Sequence, residues 1–479
     1  TFLDDAPLEE RRTQAVLSRR VLDNRTADEL GALDPDAIAR VREEAWPRPE
    51  DAEEVHEALL WMGYVTAEEG RPWQDWLGEL AAAGRVRREG DRWFATEASR
   101  DPKALLRGRM EALGPVESSD PLLLELEAEG AVLRARISGT EVWCDRRLLA
   151  RIHRYTLDRL RKEIEPVTAS QFLRFLACWQ HVDPEHRLEG PRGVAQVIAQ
   201  LSGFEVPAPA WEGSVLPARV RGYRREWLDQ LTLSGEVAWG RLWSAGASPI
   251  RRTPISIVLR EDLADWTLLA PRDTTREPSE TAREISEALR NRGAMFFQEL
   301  ARETGHSSTV VEGALSELIA LARVTCDSFA GLRWLIVPAS RRRATGLAAG
   351  RWSLLARENA AAAAAEFVAR RLLLRTGVVF RKTVAREKLP VPWRDVARVL
   401  RTWEARGEVR GGRFVGGFDG EQYALPEAIT LLRSVRRRSA AGGDPPPVVV
   451  SAADPLNFRG ILTPEERVAP TTRRQVLVA

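Results

Sequence analysis

The side chains best suited to chemistry fall in one short phrase, Trp179-Gln180-His181-Val182-Asp183. An aromatic face, an amide edge, an imidazole and a carboxylate are the groups that could stack on a displaced nucleobase, hydrogen-bond it and polarise a water. The same phrase also reads as a buried Trp at a helix end with polar capping neighbours. Other chemistries lack their residues. The sequence has no G-x-x-x-x-G-K-[ST] phosphate loop and no Asp-Glu-x-His or Asp-Glu-Ala-Asp box. This chain alone is therefore not expected to hydrolyse ATP. The glycines from Gly411 to Gly417 lack the strand-then-helix context of a nucleotide fingerprint and read as a turn. Cys178-x-x-His181 is a single pair without a second pair at zinc-finger spacing, so no metal site is expected.

Arginine faces are the second candidate chemistry. Arg394, Arg398 and Arg401 fall at i, i+4 and i+7 and share one face of a helix. Val396, Leu400 and Trp403 take the opposite, core-seeking face, and Arg410 and Arg413 follow in the adjoining wing. A recognition helix and wing lined with Arg suits phosphate contact. Arg85, Arg87 and Arg88 lead a basic stretch that reaches Trp93 and Phe94. Arg151 and Arg154 belong to a helix at 146–164 that also carries Arg146, Arg147, Arg159, Arg161 and Lys162. Each of these reads either as a nucleic-acid contact or as a solvated face. By contrast, the helix around Glu312 and Glu317 carries little positive charge and reads as structural.

The elements that position these groups follow from an internal repeat. An amphipathic segment closes on a small residue, one further residue and Val, and a short strand follows. The phrase recurs at Gly84-Arg85-Val86, Gly130-Ala131-Val132, Ala322-Arg323-Val324 and Gly407-Glu408-Val409, and more loosely at Gly235-Glu236-Val237. A small residue at a helix C-terminus tolerates the left-handed backbone that turns the chain into a strand. A second strand then returns to make a wing, reached in the third repeat at Arg333-Trp334-Leu335-Ile336. Upstream lie further helices. Ile285, Ala288 and Leu289 mark one, Phe297, Leu300 and Ala301 a second, and Val311, Leu315 and Leu318 a third. The same order is expected at 363–376, 380–388 and 392–406, with a wing to about 424.

At 479 residues the chain is too long for one ordinary core. Hydrophobic residues make up 44%, enough to fill real cores, and charged residues 29%. No apolar run reaches the roughly 18 residues of a membrane helix. Three cysteines, an odd number, suit a reducing cytoplasm better than a disulfide scaffold. Net charge is only +2, so bulk charge does not announce a nucleic-acid partner. The basic residues are almost all Arg, with Lys only at 103, 162, 382 and 388. The first residues, Thr1-Phe2-Leu3-Asp4-Asp5, carry neither an initiator Met nor a basic-then-apolar leader, and read as the interior of a longer polypeptide.

The expected fold is mainly α with small β wings, about five tandem winged-helix modules followed by a short β-rich, barrel-like C-terminal module. The divisions are a helical linker at 1–50, winged helices at 51–98 and 102–145, a larger helical block at 146–270, winged helices at 275–338 and 350–435, and a linker with β-rich tail at 436–479. The second module is short by most of a helix. The Pro-rich stretch 206–217 reads as a connector, Ala360–Ala365 as low-complexity helix or loop, and Gly442–Pro447 as a linker.

Several phrases resemble the C-terminal region of the bacterial large helicase-related protein family. They are Trp143–Leu157, Phe175–Val182, Leu216–Val220, Leu233–Arg241 and Ala453–Asn457, with Asp5–Arg12 similar to that family's junction after the helicase core. The resemblance implies a region of an ATP-dependent helicase of DNA repair that moves 3′ to 5′ on single-stranded DNA. ATP and magnesium would belong to the helicase core of the same polypeptide, with no cofactor in this chain. It implies single-stranded or forked DNA as partner, a homotetramer, no membrane and a cytoplasmic location. Parts are similar to tandem winged-helix DNA glycosylases of the AlkZ type, and uracil-DNA glycosylase activity is attributed to this region of the family. In that case Gln180, His181 and Asp183 hold and activate the base, with Asp183 steadying charge on the sugar and His181 donating to the base. The Gln-apolar-Gln triplet of the AlkZ group has no counterpart here beyond Gln180-His181. Asp454, inside a family-like phrase, is a reserve carboxylate, or the cap of a turn before Pro455. A DNA glycosylase acting alone and a protein-interaction scaffold are the alternative readings.

Overall fold

A computed structural model describes residues 33–478 apart from 138, 163, 244–248, 271–275, 338–340, 342–349, 356–363, 385, 386, 388, 444, 445 and 473. The expected junction at 5–12, most of the linker at 1–50, and parts of the 360–365 and 442–447 stretches lie outside the described residues. The chain forms two units, residues 1–164 with 401–412, and residues 165–400 with 413–479.

In the first unit Pro35–Ala45 (α1) starts at Asp34, and Ala52–Met62 (α2) starts at Asp51, whose carboxylate accepts from Glu54 N at 2.8 Å. Such a cap is worth about 1 kcal/mol. Val65–Thr66 (β1), a 3-10 turn at Arg71–Trp73, Gln74–Ala82 (α3), Val86–Glu89 (β2) and Arg92–Ala95 (β3) follow. Their sheet runs β1-β3-β2. The second module has Pro102–Leu113 (α4), Leu122–Ala128 (α5), Val132–Ile137 (β4) and Thr140–Asp145 (β5), with Val116 bridging Trp143. A loop from Gly114 to Pro121 occupies the place of a middle helix. Arg146–Lys162 (α6) and α1 close a core of Ile38, Val41, Leu133, Cys144 and Ile152.

The second unit opens with Ala169–Trp179 (α7), which starts on a capping box between Thr168 and Gln171. Leu188–Glu189 (β6), Gly190–Leu201 (α8), Val206–Pro207 (β7), Leu216–Arg219 (α9), Val220–Arg221 (β8), Arg225–Leu233 (α10), Val237–Gly240 (β9), Pro254–Leu259 (β10) and Leu263–Leu269 (α11) follow. The next module has Glu280–Arg292 (α12), Met295–Phe296 (β11), Phe297–Thr304 (α13), Ser308–Ala320 (α14), Val324–Cys326 (β12), Phe329–Ile336 (α15) and Arg351–Leu354 (β13). The sheets β7-β10-β9 and β11-β13-β12 repeat the strand order of the first module. Last come Ala364–Thr376 (α16), Val378–Phe380 (β14), Trp393–Ala405 (α17), Gln422–Ala424 (β16), Pro426–Ala440 (α18), Val448–Ser451 (β17) and Gln475–Val478 (β18); the end of α17 from Arg401 and Arg410–Gly412 (β15) are counted with the first unit. α18 packs along α7.

The repeated phrase has one physical cause. Gly84, Gly130, Gly235 and Gly407 all take positive φ, from 72° to 78°, where the helix turns into the wing. Ala322 takes the same place at φ 55°, a conformation that costs a residue with a Cβ roughly 1–2 kcal/mol.

Three expectations change. Arg333-Trp334-Leu335-Ile336 is helical, not a wing strand. Phe329, Leu332 and Leu335 are buried at three-residue spacing, and Ser328 accepts from Ala330 N. The returning strand is β13, so this module reaches past 338 to Leu354. The Pro-rich stretch 206–217 is no loose connector. It is strand β7, then helical turns through Trp211–Val215 into α9. Pro209 sits in the first turn of this helical run, where a missing N–H costs nothing. The C-terminal tail is a two-stranded antiparallel pair, β17 with β18, and among the described residues no sheet closes into a barrel.

One core joins the two central modules. Trp239 meets Trp352 edge-on at 6.1 Å and Phe329 at 6.4 Å. Each such pair adds about 0.5–1.5 kcal/mol beyond burial. Trp266 is fully buried, edge-on to Phe367 at 4.9 Å, over Gly203. Gly203 has φ 83°, and a Cβ there would lie 2.2 Å from the Trp266 ring, so both backbone and space require glycine.

Candidate nucleic-acid interface

The wing of the first module turns on Gly90-Asp91, a two-residue loop with Gly90 at φ 63° that fixes the register of Arg88 opposite Trp93 and Glu89 opposite Arg92. Arg85 pairs with Glu53 and donates to His56 Nδ1 at 3.0 Å. Arg87 donates to Glu89 at 2.8 Å and to the Ala95 and Thr96 carbonyls at 2.9 and 3.0 Å. These two arginines are held by the protein. Arg88 is exposed with its guanidinium 5.5 Å from the Trp93 centroid, and Arg92 is exposed 4.4 Å from that of Tyr64. Arg92 closes the basic wing stretch read from sequence, though Arg85, Arg87 and Arg88 are the three named there for contact. Its signal is positional, since the register places it beside β1 and thus near Tyr64.

On α6 three of the seven cations sit beside acids. Arg151 lies 3.7 Å from Glu44, Arg159 is 2.7 Å from Asp34, and Arg161 holds Glu404 at 2.9 and 2.6 Å. Arg154 is exposed beside Tyr155. His153, on the same helix, donates to the Ala405 carbonyl at 3.3 Å, and burial holds its imidazole below the ordinary value. The unfolded chain therefore takes up the proton first. Stability from this group is complete above a pH of about 6.5 and falls as pH drops from there toward the lowered folded value. Replacing His153 with Gln should remove that part of the acid sensitivity, read as unfolding free energy against pH. An unchanged pH profile would contradict it.

α17 carries the basic face expected for it. Val396 and Leu400 are buried, Arg394 and Arg398 are exposed, and Arg401 is half-buried. Asp395 lies 3.8 Å from Arg394 and 3.3 Å from Arg398. Arg413 is exposed and Arg410 half-buried. A basic run on α18 was missed from sequence: Arg433 and Arg437 are exposed one turn apart. On α14, Glu312 accepts from Trp334 Nε1 at 3.2 Å, and Glu317 takes Ser279 N and Oγ at 2.8 and 2.6 Å. The acids of this helix thus tie its own module together.

The residues proposed for base chemistry separate into two groups. Gln180 and Asp454 converge on Arg219, which is fully buried. Arg219 Nη1 and Nη2 donate to the two Asp454 oxygens at 2.7 and 2.8 Å, and Nη2 also donates to Gln180 Oε1 at 3.1 Å. Gln180 Nε2 donates to the Arg375 carbonyl at 2.9 Å. Asp183 and His181 lie at the turn after α7. Asp183 Oδ1 accepts from Glu185 N at 3.0 Å and from His186 Nδ1 at 2.8 Å, while His181 Nδ1 donates to the His186 carbonyl at 3.0 Å. Burial holds the His181 imidazole below its ordinary range and pushes the Cys178 thiol up to about 11. Trp179 stacks on Phe175 at 5.7 Å and donates to the Leu374 carbonyl at 2.9 Å.

Helix, strand, helix, wing, repeated with one strand order, defines this chain as a tandem array of winged-helix modules. Residues 167–260 and 358–444 each match a family described as large helicase-related protein, winged-helix domain. A Mycolicibacterium smegmatis protein named Lhr helicase/probable uracil glycosylase is 31% identical over 90% of this chain and 34% of its own length. The Escherichia coli Lhr helicase/uracil glycosylase is 28% identical over 74% of this chain and 26% of its own length. The chain is thus a relative of the large helicase-related proteins that carries winged-helix domains of that family, and it spans about a third or less of either relative. The Streptomyces sahachiroi DNA glycosylase AlkZ is also similar, at 13% identity and TM-score 0.35 over 56% of this chain and 73% of that one, a likeness too distant to carry an argument. No described helix is long and apolar enough to cross a membrane.

Proposed function

We propose that this chain is the DNA-binding, self-associating region of an ATP-driven 3′-to-5′ DNA-repair helicase, with ATP, magnesium and the motor belonging to the remainder of the polypeptide. The observation that carries the reading is the exposed arginine surface of α17, on a helix in recognition position within a winged-helix domain. Arg88 and Arg92, seated by aromatic rings on a wing, add a second surface of the kind that follows a phosphate backbone. Single-stranded or forked DNA is the partner, and a homotetramer the assembly. The names of both relatives include helicase and uracil glycosylase, which supports the reading and adds base release to it. For base release the geometry favours buried Asp183 and half-buried His181 over Asp454, because Arg219 occupies both Asp454 oxygens. Gln180 then acts behind that turn, and Trp179 as its packed flank. The test is fluorescence anisotropy with labelled single-stranded and forked DNA. Binding that weakens steadily as salt rises is expected. No binding at low salt would leave the scaffold reading instead.

A further inference from the structure

The turn that follows α7, whose Asp183 also serves the base-release reading, holds a constellation that phosphate contact does not use. Cys178, Asp183 and His186 place one sulfur, one carboxylate oxygen and one ring nitrogen within 4.8 Å of one another. The spacing is Cys-x4-Asp-x2-His, so all three come from nine consecutive residues. The backbone that brings them together is tightly fixed. Val182 N and Asp183 N both donate to the Ala177 carbonyl, at 2.8 and 3.0 Å, and His181 N donates to Cys178 O at 3.1 Å. His181 takes φ 61°, an uncommon conformation for a residue with a Cβ, and this reverses the chain. His186 N then donates to the Asp183 carbonyl at 3.0 Å. The Cys178-x-x-His181 spacing, from which no metal site is expected, is not the pair that the turn brings together. His181 Nδ1 faces the His186 carbonyl and orients the turn, while His186 is the imidazole beside the thiol.

We propose that Cys178, Asp183 and His186 form a binding site for a zinc-class divalent cation. Thiolate, imidazole and carboxylate are each ligands that zinc takes, with bonds of about 2.0–2.3 Å. Donors around such an ion stand roughly 3–4 Å apart, a spacing small side-chain rotations reach from the present one. In the metal-free form a proton bridges Asp183 Oδ1 and His186 Nδ1 at 2.8 Å. The cation displaces the thiol proton to solvent and takes the place of the Nδ1 proton, which the neutral imidazole carries on Nε2 instead. Thiolate and carboxylate together balance its two charges. Across the site Arg438 of α18 stands 3.7 Å from Glu185, so the other charges there form their own pair. Three protein ligands leave a fourth position for water. The site does not depend on the DNA-binding reading.

Cobalt(II) chloride titrated into the reduced chain tests it, read by absorption and by thermal unfolding. One equivalent should produce a thiolate-to-cobalt charge-transfer band that zinc chloride abolishes, and should raise the unfolding temperature. Cys178→Ser should lose the band. His186→Gln alters a half-exposed side chain, and should lose the rise in unfolding temperature while matching the wild-type circular dichroism. The control Cys144→Ser/Cys326→Ser should keep the band. Absence of a thiolate band in the wild-type chain, or its persistence in Cys178→Ser, would overturn the proposal.

Discussion

Asp454→Ala should destabilise the second unit by about 3–5 kcal/mol, the cost typical of breaking a buried ion pair from one side. Arg219 has no exposure and Asp454 is 1% exposed. Two short parallel bonds join them, and Arg219 Nη1 also donates to the Val215 carbonyl at 3.1 Å. Without the carboxylate a guanidinium remains buried with only the Gln180 and Val215 oxygens to face. The partners are 235 residues apart in sequence, so the pair fastens the stretch after β17 to the end of α9. Arg219→Met combined with Asp454→Leu should recover most of the loss, because well-packed apolar residues often replace a buried pair at little cost. Urea unfolding followed by Trp fluorescence reads both. A loss below about 1 kcal/mol for Asp454→Ala, the range of exposed pairs, would contradict the buried clamp. Any loss of base release in an Asp454 variant therefore has to be set against its folded fraction before it counts as chemistry.

That clamp also shows where sequence reading stops. The repeat was legible because its signal is local. The turn glycines at 84, 130, 235 and 407, and Ala322 among them, all carry the left-handed backbone their position requires. α17 was legible for the same reason, since Val396, Leu400 and Trp403 alternate with arginines at helical spacing and the expected 392–406 is observed as Trp393–Ala405. Arg333–Ile336 misled because a four-residue aromatic and aliphatic run has no decisive period. Its helix is set by Phe329 and Leu332 upstream, and by Arg333 reaching Glu212 and Asp229. The grouping of Gln180 with Asp454, and of Asp183 with His186, arises from tertiary contact and a tight turn. Neither has a periodic signature. The arginines of α6 looked like a free basic face because Asp34, Glu44 and Glu404, which neutralise several of them, are distant in sequence.

The central claim is that DNA lies against arginine faces of these modules, with α17 among them. It is tested by the salt dependence of binding in the triple variant Arg394→Ala, Arg398→Ala, Arg401→Ala. Each phosphate contact removed should lower the slope of log K against log salt by about 0.7 on a single strand. Three contacts amount to about 2 in slope, and affinity at low salt should fall for every oligonucleotide sequence alike, since phosphate contacts carry no base information. The three side chains lie on the face opposite Val396 and Leu400, so the fold should survive, as circular dichroism will show. Anisotropy titrations at a series of salt concentrations, wild-type beside variant, are the decisive measurement. A flatter slope with uniformly weaker binding is the result expected. A variant with unchanged affinity and unchanged slope would contradict the account.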